Sequence, residues 1–148
     1  MRSATEHVLG AVQAARAEAA SQSRPMHLGI QPGISGTWAV GFGDTDDCGK
    51  TKVDATVCIV STRIRTTTQN IPKVWTGSGE HSTIALSTDG GVVQAMIDPV
   101  RGVVSTAVTI RLSSPSGSET RVLLSTLGRA TACSPAGASN VAGLQTCP

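Results

Sequence analysis

Aromatic side chains are almost absent: Trp38, Phe42 and Trp75 are the whole set, and there is no tyrosine. Any core must therefore be built from Val, Ile, Leu and Ala, and each tryptophan is expected to pack inside it in preference to stacking on a ligand. Charge is also sparse, at 15% of residues, and the basic residues are scattered with no block of one sign. A nucleic-acid footprint is consequently not visible in the linear sequence. There is no apolar run of about 18 residues and no charged start, apolar middle and small-residue cleavage site, so neither a membrane span nor a signal peptide is encoded in the chain as it stands. No C-x-x-C pair occurs, and His7, His27 and His81 lie away from the cysteines, which disfavours zinc. No glycine-rich phosphate loop joins a strand to a helix, so nucleotide chemistry has no motif to use.

What is present is asymmetric. At 148 residues the chain suits one domain, able to bury roughly 68–70% of its unfolded surface. Residues 1–24 read as one small-residue amphipathic helix, with Val8, Val12, Ala15 and Ala19 forming a narrow stripe, Leu9 at its edge, and Glu6, Gln13, Glu18 and Gln22 turned outward. Ser3 followed by Glu6 matches a capping box, a coincidence if helix continues upstream. Arg24 precedes Pro25, which pushes it out of α space and ends the helix. Beyond it, 16 glycines and 7 prolines in the chain favour turns over long helices. Strands are expected at Met26–Ile30, Thr37–Gly43, Thr56–Val60, Ser82–Ser87, Gly91–Ile97, Thr106–Leu112, Thr120–Ser125 and Arg129–Cys133. The turn-rich stretch between Ser113 and Glu119 predicts a hairpin. The fold class is thus α+β, with one N-terminal helix on a β-rich head at 25–148 made of two antiparallel sheets.

Cys48, Cys58, Cys133 and Cys147 permit three pairings. The local one, Cys48 with Cys58 and Cys133 with Cys147, would close two short loops and contribute about 3 kcal/mol each in the chain-entropy picture. Disulfides imply an oxidising compartment such as the periplasm; reduced buried thiols are the alternative. The missing export signal and the cysteines disagree unless an export or membrane segment precedes Met1. The Gly/Ala/Ser-rich tail from Ser134 to Pro148 would be floppy without a tie between Cys133 and Cys147.

Two clusters invite a chemical reading. Asp44, Asp46 and Asp47 lack the ligand series and distal glutamate of a calcium loop, so a solvated turn is expected. Ser78, Glu80 and His81 supply hydroxyl, carboxylate and imidazole, but neighbours in one turn rarely align as a relay, and the spacing is neither G-x-S-x-G nor H-E-x-x-H. Neither pattern makes an enzyme, and no catalytic residue, metal ligand, cofactor or small-molecule substrate is expected.

Four segments resemble the GspH/FimT family of type IV pilus minor pilins and type II secretion pseudopilins. Leu9 to Pro25, containing Ala15-Arg16-Ala17-Glu18-Ala19, is similar to the end of that family's long N-terminal helix. Thr37 to Asp44 resembles its Trp-containing strand, Ile97-Asp98-Pro99-Val100-Arg101-Gly102 its turn before the penultimate hairpin, and Leu124 to Pro135 its closing Gly-Arg strand. The resemblance implies a non-enzymatic subunit that contacts other minor and major pilins and serves in priming or tip assembly of a pilus, with a secretion pseudopilin as the alternative. It implies a processed and methylated N-terminus and an upstream helix of about 20 apolar residues holding the protein in the inner membrane with a periplasmic head. On that reading this chain is the soluble head with the last turns of the helix, Met1 having come from cloning. Some FimT-like members bind DNA through Gly-Arg-x-Arg; Gly128 and Arg129 match, Thr131 stands where the second arginine would be, and a DNA role would need Arg129, Arg121, Arg111 and Arg101 to gather on one face.

Overall fold

The computed structural model describes residues 1–137 and 140–148, so the predicted tail includes two residues, Ala138 and Ser139, that lie outside the described residues. In chain order the elements are α1 (Arg2–Gln22), β1 (Met26–Gln31), β2 (Ala39–Gly43), β3 (Ile59–Ile64), β4 (Thr67–Pro72), β5 (Val74–Thr76), β6 (Ala85–Ser87), β7 (Val93–Ile97), β8 (Val108–Ser113), β9 (Glu119–Leu124) and β10 (Ala130–Cys133).

Helix α1 buries Ala4, Thr5, Val8, Ala11, Val12, Ala15 and Ala19, a stripe spaced by three and four residues that extends the predicted one by a turn. Val8 and Val12 contribute about 1.5–3 kcal/mol each by leaving water, and the alanines between them let the helix axis approach the strands closely. Thr5 Oγ1 and Thr120 Oγ1 lie 2.6 Å apart, a buried hydroxyl pair that ties the helix to β9, and Thr5 Oγ1 also lies 3.0 Å from the Met1 carbonyl. Ser3 and Glu6 do not form the capping box: the helix starts at Arg2, Met1 makes no side-chain cap, and Glu6 instead takes a hydrogen bond from Arg2 at 3.2 Å. The helix ends two residues short of Arg24, with Ser23 in the left-handed region at φ 53° and its N–H donating to the Ala19 carbonyl.

The head consists of two four-stranded antiparallel sheets, ordered β5-β2-β1-β7 and β10-β9-β8-β6, plus a ribbon of β3 and β4. In β8 and β9, Val108, Ile110, Leu112, Thr120, Val122 and Leu124 alternate inward, as period-2 patterning requires. Inward residues of both sheets and the helix stripe form a single core that encloses Trp38 completely, its Nε1 donating to the Ile84 carbonyl at 3.0 Å. Trp75 is only half-buried, stacked on Phe42 with ring centroids 5.7 Å apart.

Three strand expectations change. Thr56, Val57 and Cys58 belong to a turn, because Asp54 accepts from Thr56 N–H through its side chain and from Cys58 N–H through its carbonyl; the strand starts at Ile59 and continues to Ile64. Only Ala85–Ser87 of the predicted Ser82–Ser87 strand is extended. β4 and β5 were not foreseen: β4 is exposed throughout and shows no apolar alternation, and β5 has three residues.

Cys48 bonds to Cys58 and Cys133 to Cys147, each pair with Cα atoms about 5 Å apart (4.6 and 5.0 Å). The first bridge sits in a small satellite core with Ala39 and Val53, over a place where Gly29 and Gly49 meet backbone to backbone; a Cβ on Gly29 would lie 2.7 Å from the Gly49 Cα. The second holds the tail along β10: Ser134 N–H donates to the Gln145 carbonyl, Cys147 N–H donates to the Ser134 carbonyl, and the Ser134 hydroxyl donates to the Glu119 carbonyl.

At the seam between helix and head, the His7 ring lies 5.2 Å from the His81 ring and edge-on to Trp38 at 6.4 Å. Burial, and then the neighbouring His81, disfavour the charged imidazole of His7; the Thr76 carbonyl and Glu80 oppose them, and the net effect lowers its pKa below the ordinary 6.5.

Three outcomes are expected. Ala15→Leu should cost about 1–3 kcal/mol in thermal or denaturant unfolding, since the seam has no room for the added atoms. Cys147→Ser should remove about 3 kcal/mol and speed amide exchange in the tail around Gln145, while exchange in β1 and β2 stays slow. Because the unfolded chain binds a proton at His7 more readily than the folded one, stability is fully present above the ordinary imidazole value and is lost as pH falls below it. The melting temperature should drop between about pH 8 and about pH 5, and His7→Gln should flatten that slope; equal slopes in the two proteins would dismiss the assignment to His7.

Candidate interaction surface

The four arginines of the DNA expectation fall into two groups. Arg111 on β8 and Arg121 on β9 are directly opposite in register, on the outer face of the second sheet. Two like charges at that spacing repel unless neutralised. Each has a carboxylate: Arg111 Nη1 donates to Asp89 Oδ1 at 2.6 Å, and Arg121 Nε donates to Glu119 Oε1 at 2.8 Å. The bond to Asp89 raises the Arg111 pKa still further above its ordinary value.

Arg101 and Arg129 lie elsewhere, on the β7–β8 and β9–β10 connections. These two loops touch. Val104 N–H donates to the Thr126 carbonyl at 2.9 Å, and a Cβ built on Gly128 would fall 1.9 Å from the Gly102 oxygen. Gly128 (φ 85°) and Gly102 (φ 71°) both occupy the left-handed region, and Gly128 has no room for a side chain as well. The Arg16 guanidinium of α1 lies against both loops, and its Nε is buried with no hydrogen-bond partner among the described residues. Arg16 is the residue that a search for scattered surface charge misses; the signal was its place in Ala15-Arg16-Ala17-Glu18-Ala19. The same loops expose Val100 (90%) and Leu127 (79%), so this end of the molecule mixes basic and aliphatic groups.

Between the two arginine groups runs an open groove of about 650 Å³ whose lining includes Asp89, Thr109, Leu123, Arg129, Thr131 and Gln145. Its charged side chains are one arginine and one carboxylate, and Thr131 stands on its wall. Such a surface does not concentrate positive potential as a phosphate track must.

The remaining sequence candidates have structural duties. Asp44 accepts from Ser61 N–H at 2.8 Å and pairs with Arg24 at 3.3 Å, pinning the end of the helix segment to the foot of the ribbon. Asp46 faces Lys50 at 3.8 Å, and Asp47 is exposed. The Ser78 hydroxyl bonds to Thr76 at 2.8 Å, while the nearly buried His81 packs its ring against His7 and Trp38. Among the described residues, no three His, Cys, Asp or Glu side chains converge as metal ligands.

Two comparisons place this architecture. A family model described as type II transport protein GspH matches residues 4–128, which takes in nearly all of the helix, β1 to β9 and the Gly102–Gly128 contact but stops before β10 and the C-terminal disulfide loop. The crystal structure of the type IV minor pilin FimU from Pseudomonas aeruginosa strain PAO1 shares the fold, with a TM-score of 0.54 at 16% identity, over 88% of this chain and 86% of that one. No curated protein matches. With the family model covering most of its length, the chain belongs to the GspH family.

Proposed function

We propose that this protein is a non-enzymatic minor subunit of a type IV pilus, acting in priming or tip assembly of the filament. The observation that carries the reading is the union of α1 with the head. The helix is welded through its alanine stripe into the same core as both sheets, while the face bearing Glu6 and Gln13 stays exposed for neighbouring subunits. The likeness in fold to a type IV minor pilin and the disulfide-held C-terminal loop favour the pilus. The end carrying Val100, Leu127, Arg101 and Arg129 suits contact with protein, where aliphatic anchors and arginines together carry affinity.

The reading requires an apolar segment upstream of α1 to hold the subunit in the inner membrane before assembly, since no helix among the described residues is long and apolar enough to cross a membrane. Energy for assembly would come from a separate motor. A secretion pseudopilin is the second reading, favoured by the description of the family model. DNA capture finds less support, with Arg111 and Arg121 already neutralised by Asp89 and Glu119.

Deletion of the gene in its own cell, with complementation by the full-length protein, tests these readings. Loss of surface pili with intact protein secretion is the expected result. Loss of secretion with intact pili would transfer the protein to the pseudopilus, and no change in either would dismiss both.

A further inference from the structure

We infer that the β3–β4 ribbon is a docking element that takes an acidic, extended segment of a neighbouring filament subunit as an added strand. The identity of the partner rests on the filament reading above; the chemistry of the site rests on the ribbon itself.

Open strand edges are normally blunted, because unpaired N–H and C=O groups recruit other chains. The other sheet edges of this head are short or covered. Along β7, Ser105 N–H donates to the Met96 carbonyl, Ser105 Oγ accepts from Met96 N–H, and the Gln94 side chain donates to the Asp46 and Cys48 carbonyls. β10 runs into the tail at Ser134, β6 meets Gly33, and β5 has three residues. β4 differs: all six of its residues are exposed. Ser61 spends its N–H on Asp44 and its carbonyl on Arg24, so its register partner Asn70 also directs its backbone groups away from the ribbon, and so does Thr68 two residues earlier. Among the described residues, neither has a backbone hydrogen bond outside the ribbon.

The foot of the ribbon is rigid. Lys73 N–H donates to the Cys58 carbonyl, Phe42 N–H donates to the Lys73 carbonyl, and Cys58 is bonded to Cys48. Beyond that foot the arm carries its own charge pattern. No Asp or Glu occurs between Asp54 and Glu80, whereas Arg63, Arg65 and Lys73 do, and none of the three forms an ion pair among the described residues. Register places Arg63 and Thr68 on one face and Ile64, Thr67 and Ile71 on the other. Ile64 is 50% exposed and Ile71 37%. A strand added along β4 would therefore place side chains beside an arginine face and an aliphatic face in alternation, which selects carboxylates on one side and apolar or β-branched groups on the other. A nucleic acid would use the cations but leave the aliphatic face and the open backbone edge unsatisfied, so a protein strand fits better.

The test uses the full-length protein in its own cells, with a photo-crosslinking side chain placed at Thr68, at Asn70, or at Gln13 on the exposed face of α1. Positions 68 and 70 should cross-link to another filament subunit, within a peptide that carries carboxylates. Arg63→Glu with Arg65→Glu should lower that yield at least about fivefold, and Arg63→Lys with Arg65→Lys should preserve it. Unchanged thermal melting of the purified variants separates loss of docking from loss of fold. Cross-links at Gln13 but none at 68 or 70 would overturn the ribbon proposal and leave the filament reading standing. So would cross-links at 68 and 70 that ignore charge reversal or that capture DNA. Silence at all three positions would overturn both.

Discussion

The structure depends on how closely α1 can approach the head. Ala4, Ala11, Ala15 and Ala19 bring the helix down onto both sheets, so that one layer of aliphatic side chains serves three elements at once. With so few aromatic rings available, that economy of space is what allows Val, Ile and Leu to close the core around Trp38. The same closeness brings Thr5 against Thr120 and His7 against His81, and it lays Arg16 against the two glycine loops. A helix with larger residues on this stripe would stand off and leave each of those contacts unmade.

Several charges on the head are paired locally. Asp44 with Arg24, Asp89 with Arg111 and Glu119 with Arg121 fix particular loops and strand faces, and the last two, as part-exposed pairs, contribute position more than stability. Among the described residues of the head, positive charge is left without an ion pair at two places: Arg101 and Arg129 on the loops that meet at Gly102 and Gly128, and the ribbon with Arg63, Arg65 and Lys73 at its foot. Both lie at the periphery of the head, with exposed aliphatic residues close by. A subunit of an assembly needs surfaces of this kind.

Much of the fold was legible because burial leaves a period in the sequence. The stripe Val8, Val12, Ala15, Ala19 announces a helix, and Val108, Ile110, Leu112 announce an inward strand face. β4 was illegible for the converse reason: Thr67 to Pro72 bury no face in the chain, so no alternation was imposed on them. Thr56 to Cys58 misled because Thr and Val favour strands, while the Asp54 carboxylate and carbonyl close a turn there. Ser3 and Glu6 have the spacing of a cap, yet Glu6 answers Arg2 one turn earlier.

The sequence by itself determined the elements with a buried side, the class of fold, and the chemistry on offer: four cysteines, scattered arginines, and no catalytic or nucleotide-binding pattern. Tertiary structure alone decided which of those groups meet. Arg111 and Arg121 are ten residues apart in the chain and face each other across a ladder, whereas Arg16, far from both loops in sequence, comes to lie against Gly102 and Gly128. Sequence spacing fixes the side of a strand on which a residue stands, but strand order and loop contact fix its neighbours. An interaction surface is made of neighbours.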